Sequence, residues 1–320
     1  MNLAFIGTGK IVAEALVAAK ISDINYKAIW SRPKSIDKAK NLASQYGIER
    51  IYTDYDKLLG DSNIDFVYIG LINSVHYEYA KKALLAGKNV ILEKPFCPTL
   101  RETCELIELA TTQNLFLFDA VSFLYMPTFK FLQDELKNIG AVKLVQANYS
   151  QYSSRYDDYK RGIVQPAFDA KAFGGALYDI NFYNITLIVA LFGAPQDISY
   201  QANIGFNGVD TSGVMTMRYP SFIAMAAGAK DSASPSFFIA QGENGYLQVD
   251  GAPNAMTNAA SINRNGTAKR QENNNEHRLT AEFRTFNEIY RTHDFKRMRD
   301  KLAITENVIK ILETARPKYK

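Results

Sequence analysis

The chain has 320 residues, more than a single hydrophobic core usually supports, so two domains are expected. Its composition, 47% hydrophobic and 22% charged, is that of a soluble globular protein, and 37 basic against 33 acidic side chains leave a net charge of only +4 with no basic stripe. This excludes an obvious nucleic-acid surface, the absence of an apolar run of about 20 residues argues against a membrane-spanning helix, and two cysteines, Cys97 and Cys104, form no disulfide framework. The first apolar run starts at Leu3, which leaves no room for a signal peptide, so a cytoplasmic location is expected. The three histidines, His76, His277 and His293, have no metal-ligand spacing, and no metal site is expected.

The first 120 residues alternate short apolar runs with helical patterns. Leu3–Ile6 reads as a buried strand, Ile11–Ala19 as a helix and Lys27–Trp30 as the second strand. Ser35 is placed to cap a helix that Gly47 ends. Phe66–Ile69 is a strand, His76–Ala86 a helix closed by Gly87, and Asn89–Leu92 a strand. Thr99 and Glu102 match a capping box that opens a helix to about Asn114, and Leu115–Phe118 completes the set. Unbroken apolar strands in a βαβ rhythm predict a doubly wound parallel sheet of the Rossmann kind over residues 1–120, within an overall α/β class.

After residue 120 the rhythm changes. Pro127–Leu136 reads as a helix, Val142–Tyr152 as a half-buried strand and Gly175–Leu191 as a strong helix ended by Gly193. Ile198–Ala202, Val214–Tyr219, Phe222–Ala227, Phe237–Gln241 and Tyr246–Val249 alternate as strands without intervening helices, with a hairpin turn at Tyr219-Pro220-Ser221. Residues 251–278 are polar and Asn-rich and read as surface loops, and Leu279–Ala315 reads as helical. Residues 121–320 are therefore expected to form an α+β domain around a large, mostly antiparallel sheet.

Gly7-Thr8-Gly9-Lys10-Ile11-Val12 lies between the first strand and first helix, where a dinucleotide fingerprint must lie. The first glycine permits the sharp turn, and the second lets a pyrophosphate approach the free N–H groups of the helix start. Val12 stands where a third Gly or Ala is usual, which puts close helix–strand packing in question. Past the second strand, Ser31-Arg32-Pro33-Lys34 contains no carboxylate for a ribose diol; a hydroxyl and a guanidinium there suit a 2′-phosphate, so NADP is expected, with NAD as the alternative. Glu93-Lys94-Pro95 falls at the carboxyl end of a strand, the edge at which open parallel sheets bind ligands. Asp179 and Tyr183, four apart, share a helix face behind Gly174-Gly175.

Taken in order, Gly7-x-Gly9, Ser31-Arg32, Asn73-x-x-His76, Glu93-Lys94-Pro95 and Gly174-Gly175-x-x-x-Asp179 give a sequence that resembles the glucose–fructose oxidoreductase / inositol dehydrogenase (Gfo/Idh/MocA) family. The resemblance implies an NAD(P)-dependent dehydrogenase or reductase acting on a hydroxyl-bearing carbon of a small sugar, polyol or dihydrodiol. It implies Lys94 as the catalytic lysine, Asp179 as its orienter or a holder of a substrate hydroxyl, and Asn73, His76 and Glu93 beside the cofactor. Many members carry His four residues after the Asp; Tyr183 stands here, as in dihydrodiol dehydrogenase-like members. On this reading Tyr183 is the acid/base, its phenolate favoured by the Lys94 ammonium, and Asn181 adds a polar group near the substrate. Tyr152, Arg155, Tyr156 and Arg161 are candidates to line the pocket, and a homodimer or homotetramer is implied. A non-enzymatic cofactor-binding regulator and an NAD-dependent glycosidase are the competing readings on the same fold.

Overall fold

The computed structural model describes residues 1–273 and 276–317. Packing divides the chain into two compact units: Met1–Ser122 with Glu276–Glu306, and Phe123–Asn275 with Asn307–Lys320.

The first unit is built on six parallel strands, β1 (Asn2–Ile6), β2 (Asn25–Trp30), β3 (Arg50–Tyr52), β4 (Phe66–Ile69), β5 (Asn89–Glu93) and β6 (Leu117–Ala120), in the order β3-β2-β1-β4-β5-β6. Helices α1 (Lys10–Ile21), α2 (Ile36–Tyr46), α3 (Tyr55–Leu59), α4 (His76–Leu85) and α5 (Leu100–Thr112) link them. This is the doubly wound arrangement the apolar runs predict, and the strand order reverses beside β1, where such sheets open a crevice at their carboxyl ends. Leu3–Ile6 and Phe66–Ile69 expose no surface, which is why they carry no polar alternation. Thr99 caps α5 through the N–H of Glu102, as its sequence signature indicates, and Gly47 ends α2 in the left-handed region. Ser35 does not cap α2: a 3₁₀ turn, Pro33–Ser35, runs straight into the helix and takes the Ser35 backbone out of the extended form a cap needs. β3 and α3 had no strong apolar pattern to announce them; Asp54 caps α3 by accepting from the N–H groups of Asp56 and Lys57.

The second unit holds α6 (Pro127–Glu135), β7 (Val142–Ser150), α7 (Tyr156–Lys160), α8 (Phe182–Phe192), and β8 (Asp197–Ile204), β9 (Asp210–Arg218), β10 (Ile223–Ala229), β11 (Phe237–Gly242), β12 (Gly245–Asp250), β13 (Asn258–Asn263) and β14 (Ala268–Glu272). Its eight strands run β14-β13-β12-β11-β7-β10-β9-β8, antiparallel except for the pair β7/β10. The turn at Tyr219–Phe222 joins β9 to β10, as expected. Residues 251–278 are not simply loops. β13 and β14 extend the sheet to its edge, where a strand needs no alternating apolar face, so the polar composition concealed them; Asn274 and Asn275 of that stretch lie outside the described residues. Gly175–Leu191 is not one uniform helix either: a π-helical turn, Leu177–Asn181, precedes α8. The stretch Ala170–Phe192 is long and apolar enough to cross a membrane by composition, a test the plain run length did not meet, but 78% of its apolar window is buried inside the protein.

The tail folds as α9 (Thr280–Thr292) and α10 (Phe295–Ala315). α9 belongs with the first sheet through aromatic contacts that chain order alone does not announce. Phe286 stacks on Phe118 at 4.5 Å, Tyr290 meets Phe66 edge-on at 4.9 Å, and Phe283 lies 5.7 Å from Tyr68. The Asn287 side chain donates to the Ser22 carbonyl and Arg278 pairs with Glu14, tying α9 to α1.

Candidate active site

In the first unit the Gly-rich turn follows β1. Gly7 adopts φ 118°, and a β carbon there would lie 2.8 Å from the Gly70 carbonyl oxygen, so only glycine fits. Gly9 is the N-cap of α1, and a β carbon on it would meet no protein atom within 4 Å. No side chain caps α1 and no acidic residue lies in its first turn, so its N–H groups and dipole face an open cradle at Gly9. This fits a dinucleotide pyrophosphate. Val12 is fully buried, and the close approach questioned above is preserved from the opposite side: Gly70, just past β4, has no side chain, and a β carbon there would stand 2.7 Å from Val12 Cγ2. The missing glycine of the helix is supplied by the strand.

Beyond β2, Arg32 is exposed and its guanidinium has no carboxylate within ion-pair distance among the described residues. The Ser31 hydroxyl is buried without a hydrogen-bond partner. An unneutralised cation with no acid beside it fits a cofactor phosphate better than a ribose diol.

At the carboxyl end of β5 the Lys94–Pro95 peptide is cis. Within Glu93–Pro98 every residue is buried except Lys94, which keeps partial solvent contact. Glu93 accepts from the Tyr68 hydroxyl at 2.6 Å and from the Lys94 N–H at 3.2 Å, so it secures the turn from beneath. Burial pushes its carboxyl up, opposed by the Tyr68 hydrogen bond and the Lys94 charge. Two further acids, which the sequence reading did not single out, lie in the same neighbourhood. Asp119, opposite Leu92 in register, accepts from the Thr305 hydroxyl at 2.8 Å, and burial foremost pushes its carboxyl up to about 7. Glu282 on α9 is fully buried, with neither carboxyl oxygen hydrogen-bonded, and burial raises it well above the usual range, with Glu93 adding to the rise. Neither signal lies in local sequence, because each is an isolated acid in an otherwise ordinary strand or helix.

His76, expected at the cofactor, has no exposed surface. Its Nδ1 lies 3.0 Å from the Pro95 carbonyl and its Nε2 3.1 Å from the Leu71 carbonyl. It therefore offers no atom to a ligand here and instead braces the Lys94–Pro95 turn. Burial lowers its pKa, against the pull of the carbonyls. Asn73 opens the short 3₁₀ turn that leads into α4 and is partly exposed.

In the second unit, Gly174 and Gly175 admit the close approach their pairing suggested: β carbons would lie 2.4 Å from the Pro166 carbonyl oxygen and 2.1 Å from Asp210 Oδ1, respectively. Asp210 accepts from the Leu177 N–H at 2.6 Å and fixes the start of the π turn. Asp179 sits in that turn with its side chain 39% exposed, paired at 2.7 Å with Lys230 Nζ. Tyr183, one turn on, is nearly buried beside the rings of Tyr149 and Phe123. Asn181 is not available to a substrate: it is fully buried, donates to the Ala226 carbonyl and accepts from Asn184, against the space left by Gly228. Of the candidate loop residues, Tyr152 donates to Asp157, Arg161 pairs with Asp158, Arg155 is exposed, and Tyr156 packs on Tyr159 and Phe168.

A doubly wound sheet with an open glycine cradle at its first helix, and a lysine at the carboxyl end of a strand two places along, defines a dinucleotide-binding oxidoreductase. Family models match residues 1–120 as the oxidoreductase family with an NAD-binding Rossmann fold and residues 135–251 as the GFO/IDH/MocA C-terminal domain. The chain belongs to the Gfo/Idh/MocA family and is an oxidoreductase, as its motif order implies. It is 35% identical over 251 residues to the scyllo-inositol 2-dehydrogenase (NADP(+)) IolU of Bacillus subtilis, covering 78% of this chain and 76% of that one. It is 28% identical over 268 residues to the trans-1,2-dihydrobenzene-1,2-diol dehydrogenase of Xenopus tropicalis, covering 82% and 78%. In fold it is similar to a 3-ketoreductase from Actinomadura kijaniata, with a TM-score of 0.85, 21% identity, and coverage of 99% and 97%.

Proposed function

We propose that this enzyme is an NADP-preferring dehydrogenase or reductase that moves a hydride to or from a hydroxyl-bearing carbon of a small polyol, sugar or dihydrodiol. Gly7, Thr8, Gly9, Lys10 and Ile11 would hold the pyrophosphate, Ser31 and Arg32 the 2′-phosphate, and Asn73 and the Glu93–Lys94 turn the nicotinamide end. The bound nicotinamide supplies the hydride chemistry. Tyr183 gives or takes the hydroxyl proton at its phenolic oxygen, and the Lys94 ammonium favours the phenolate and stabilises developing alkoxide charge. Asp179 holds a substrate hydroxyl, and His76 acts through the Pro95 turn.

The observation that carries this reading is that Lys94 alone, in a segment otherwise closed from Glu93 to Pro98, reaches solvent at the ligand-binding edge of the sheet. The NADP-dependent inositol dehydrogenase among the relatives supports the cofactor and the substrate class. The enzyme is proposed to be cytoplasmic and to self-associate through one face of the eight-stranded sheet. Register places Ile223, Tyr246 and Val214, all substantially exposed, on that same face.

The test is turnover of scyllo-inositol, trans-1,2-dihydrobenzene-1,2-diol and a panel of aldoses with NADP+ and NAD+, followed at the absorbance of the reduced nicotinamide. Tyr183→Phe should lower kcat about 10²–10⁴-fold, and undiminished turnover rules Tyr183 out. NADPH should bind more tightly than NADH, with Arg32→Ala removing about 10–100-fold of the difference; equal binding by the parent chain refutes the NADP reading. Glycoside cleavage without net cofactor reduction would indicate the glycosidase instead.

A further inference from the structure

Asp179 does not stand alone in its unit. Lys230 follows the last residue of β10 and is 2% exposed. Its backbone is fixed on both sides, its N–H donating to the Thr211 carbonyl and its carbonyl accepting from the Ser153 N–H, both at 2.9 Å. Its ammonium lies 2.7 Å from Asp179 Oδ2, donates to the Ala167 carbonyl and sits 4.5 Å from the centre of the Phe168 ring. Two segments thus meet on one buried cation: the π turn carrying Asp179, and the Ala167–Phe168 stretch, against which Gly174 packs and which offers a backbone carbonyl and an aromatic face. A lysine is rarely so buried unless it is paired, and here its ammonium donates to two acceptors, the Asp179 carboxylate and the Ala167 carbonyl, and faces the Phe168 ring. The Asp179 side chain it holds is by contrast 39% exposed.

We propose that Lys230 is a positioning residue: it anchors the Asp179 carboxylate and fixes the orientation in which Asp179 meets a substrate hydroxyl. The inference rests on the proposed role of Asp179 in substrate binding and adds to it the group that makes that carboxylate rigid. Without the cation, Asp179 would rotate on the π turn, and the Ala167–Phe168 segment would lose its tie to the helix.

A double-mutant cycle on the full chain, with scyllo-inositol and NADP+ as probes, tests this. Lys230→Met should lower kcat/KM about 10²-fold, the scale expected for a small misplacement of a binding group, while the affinity for NADPH, measured by fluorescence titration, stays within about twofold of the parent's. Lys230→Arg should recover most of the loss, because a cation returns to the same partners. In an Asp179→Asn background, Lys230→Met should cost little more, because the two residues act as one unit. If Lys230→Met does not fold, Lys230→Gln, which keeps a donor, takes its place in the cycle. Additive losses, or equal losses for Met and Arg, overturn the positioning role while leaving the reading of Asp179 in place. An Asp179→Asn variant with full activity overturns the substrate role of Asp179 and this inference together.

Discussion

The exchange of glycine between helix and strand at Val12 and Gly70 allows a quantitative test of how the cofactor cradle is built. A β carbon at Gly70 would lie 2.7 Å from Val12 Cγ2, 3.1 Å from Tyr68 Cε1 and 3.3 Å from Ile11 Cγ2. Carbon contacts are comfortable at roughly 3.5–4.0 Å, so Gly70→Ala must push the first turn of α1 away from β4 by about 1 Å. Overpacking of this kind costs about 1–3 kcal/mol. Val12→Ala alone removes two buried methyl groups and leaves a cavity, for a loss of about 2 kcal/mol. Combined, the two changes relieve each other, since the added methyl enters the space the valine vacates. The double variant should be more stable than the sum of the singles by at least ~1 kcal/mol. Trp30 is the only tryptophan of the chain and is buried in the first unit, so its fluorescence during urea unfolding reports the relevant unit. NADPH affinity should follow the same pattern, weakened in Gly70→Ala and restored in the double variant. Single effects that add to within ~0.5 kcal/mol would refute the packing exchange.

The buried acids give two further expectations. Because the folded pKa of Asp119 is raised to about 7, above its unfolded value near 4, the folded state binds the extra proton between those limits. Its contribution to stability is therefore largest below about pH 4 and is lost as pH rises toward 7; Asp119→Asn should flatten that part of the stability–pH curve, and an unchanged slope would contradict it. Glu282 is fully buried and has no hydrogen bond at either carboxyl oxygen, so Glu282→Leu should raise stability at pH 8, by about 1–3 kcal/mol, with urea unfolding as the check.

Where a residue's role is local, the sequence was informative. Strands β1, β4 and β5 are buried on both faces and so had to be apolar over Leu3–Ile6, Phe66–Ile69 and Val90–Leu92. The Thr99 cap and the Gly47 stop act within one helical turn and are written in adjacent residues. The glycine pair at Gly174 and Gly175 signalled close approach, though not what approaches. Roles decided by distant partners were less visible. His76 and Asn181 have the polar character of ligand-binding groups, but backbone carbonyls of Pro95, Leu71 and Ala226 claim them, and of these Pro95 and Ala226 lie 19 and 45 positions away. β13 and β14 are strands because a sheet edge accepts them, not because their composition demands it.

The sequence by itself determined the periodicity of the two sheets, the glycine turn and the order of the chemical motifs, because each depends on neighbours within a few residues. Tertiary structure alone decided that α9 packs on the first sheet, that a strand glycine makes room for Val12, and that Lys230 meets Asp179, 51 positions earlier in the chain. The physical reason is that burial and charge pairing are properties of a place in space, and residues remote in sequence are brought to one place only by the packing of the whole unit.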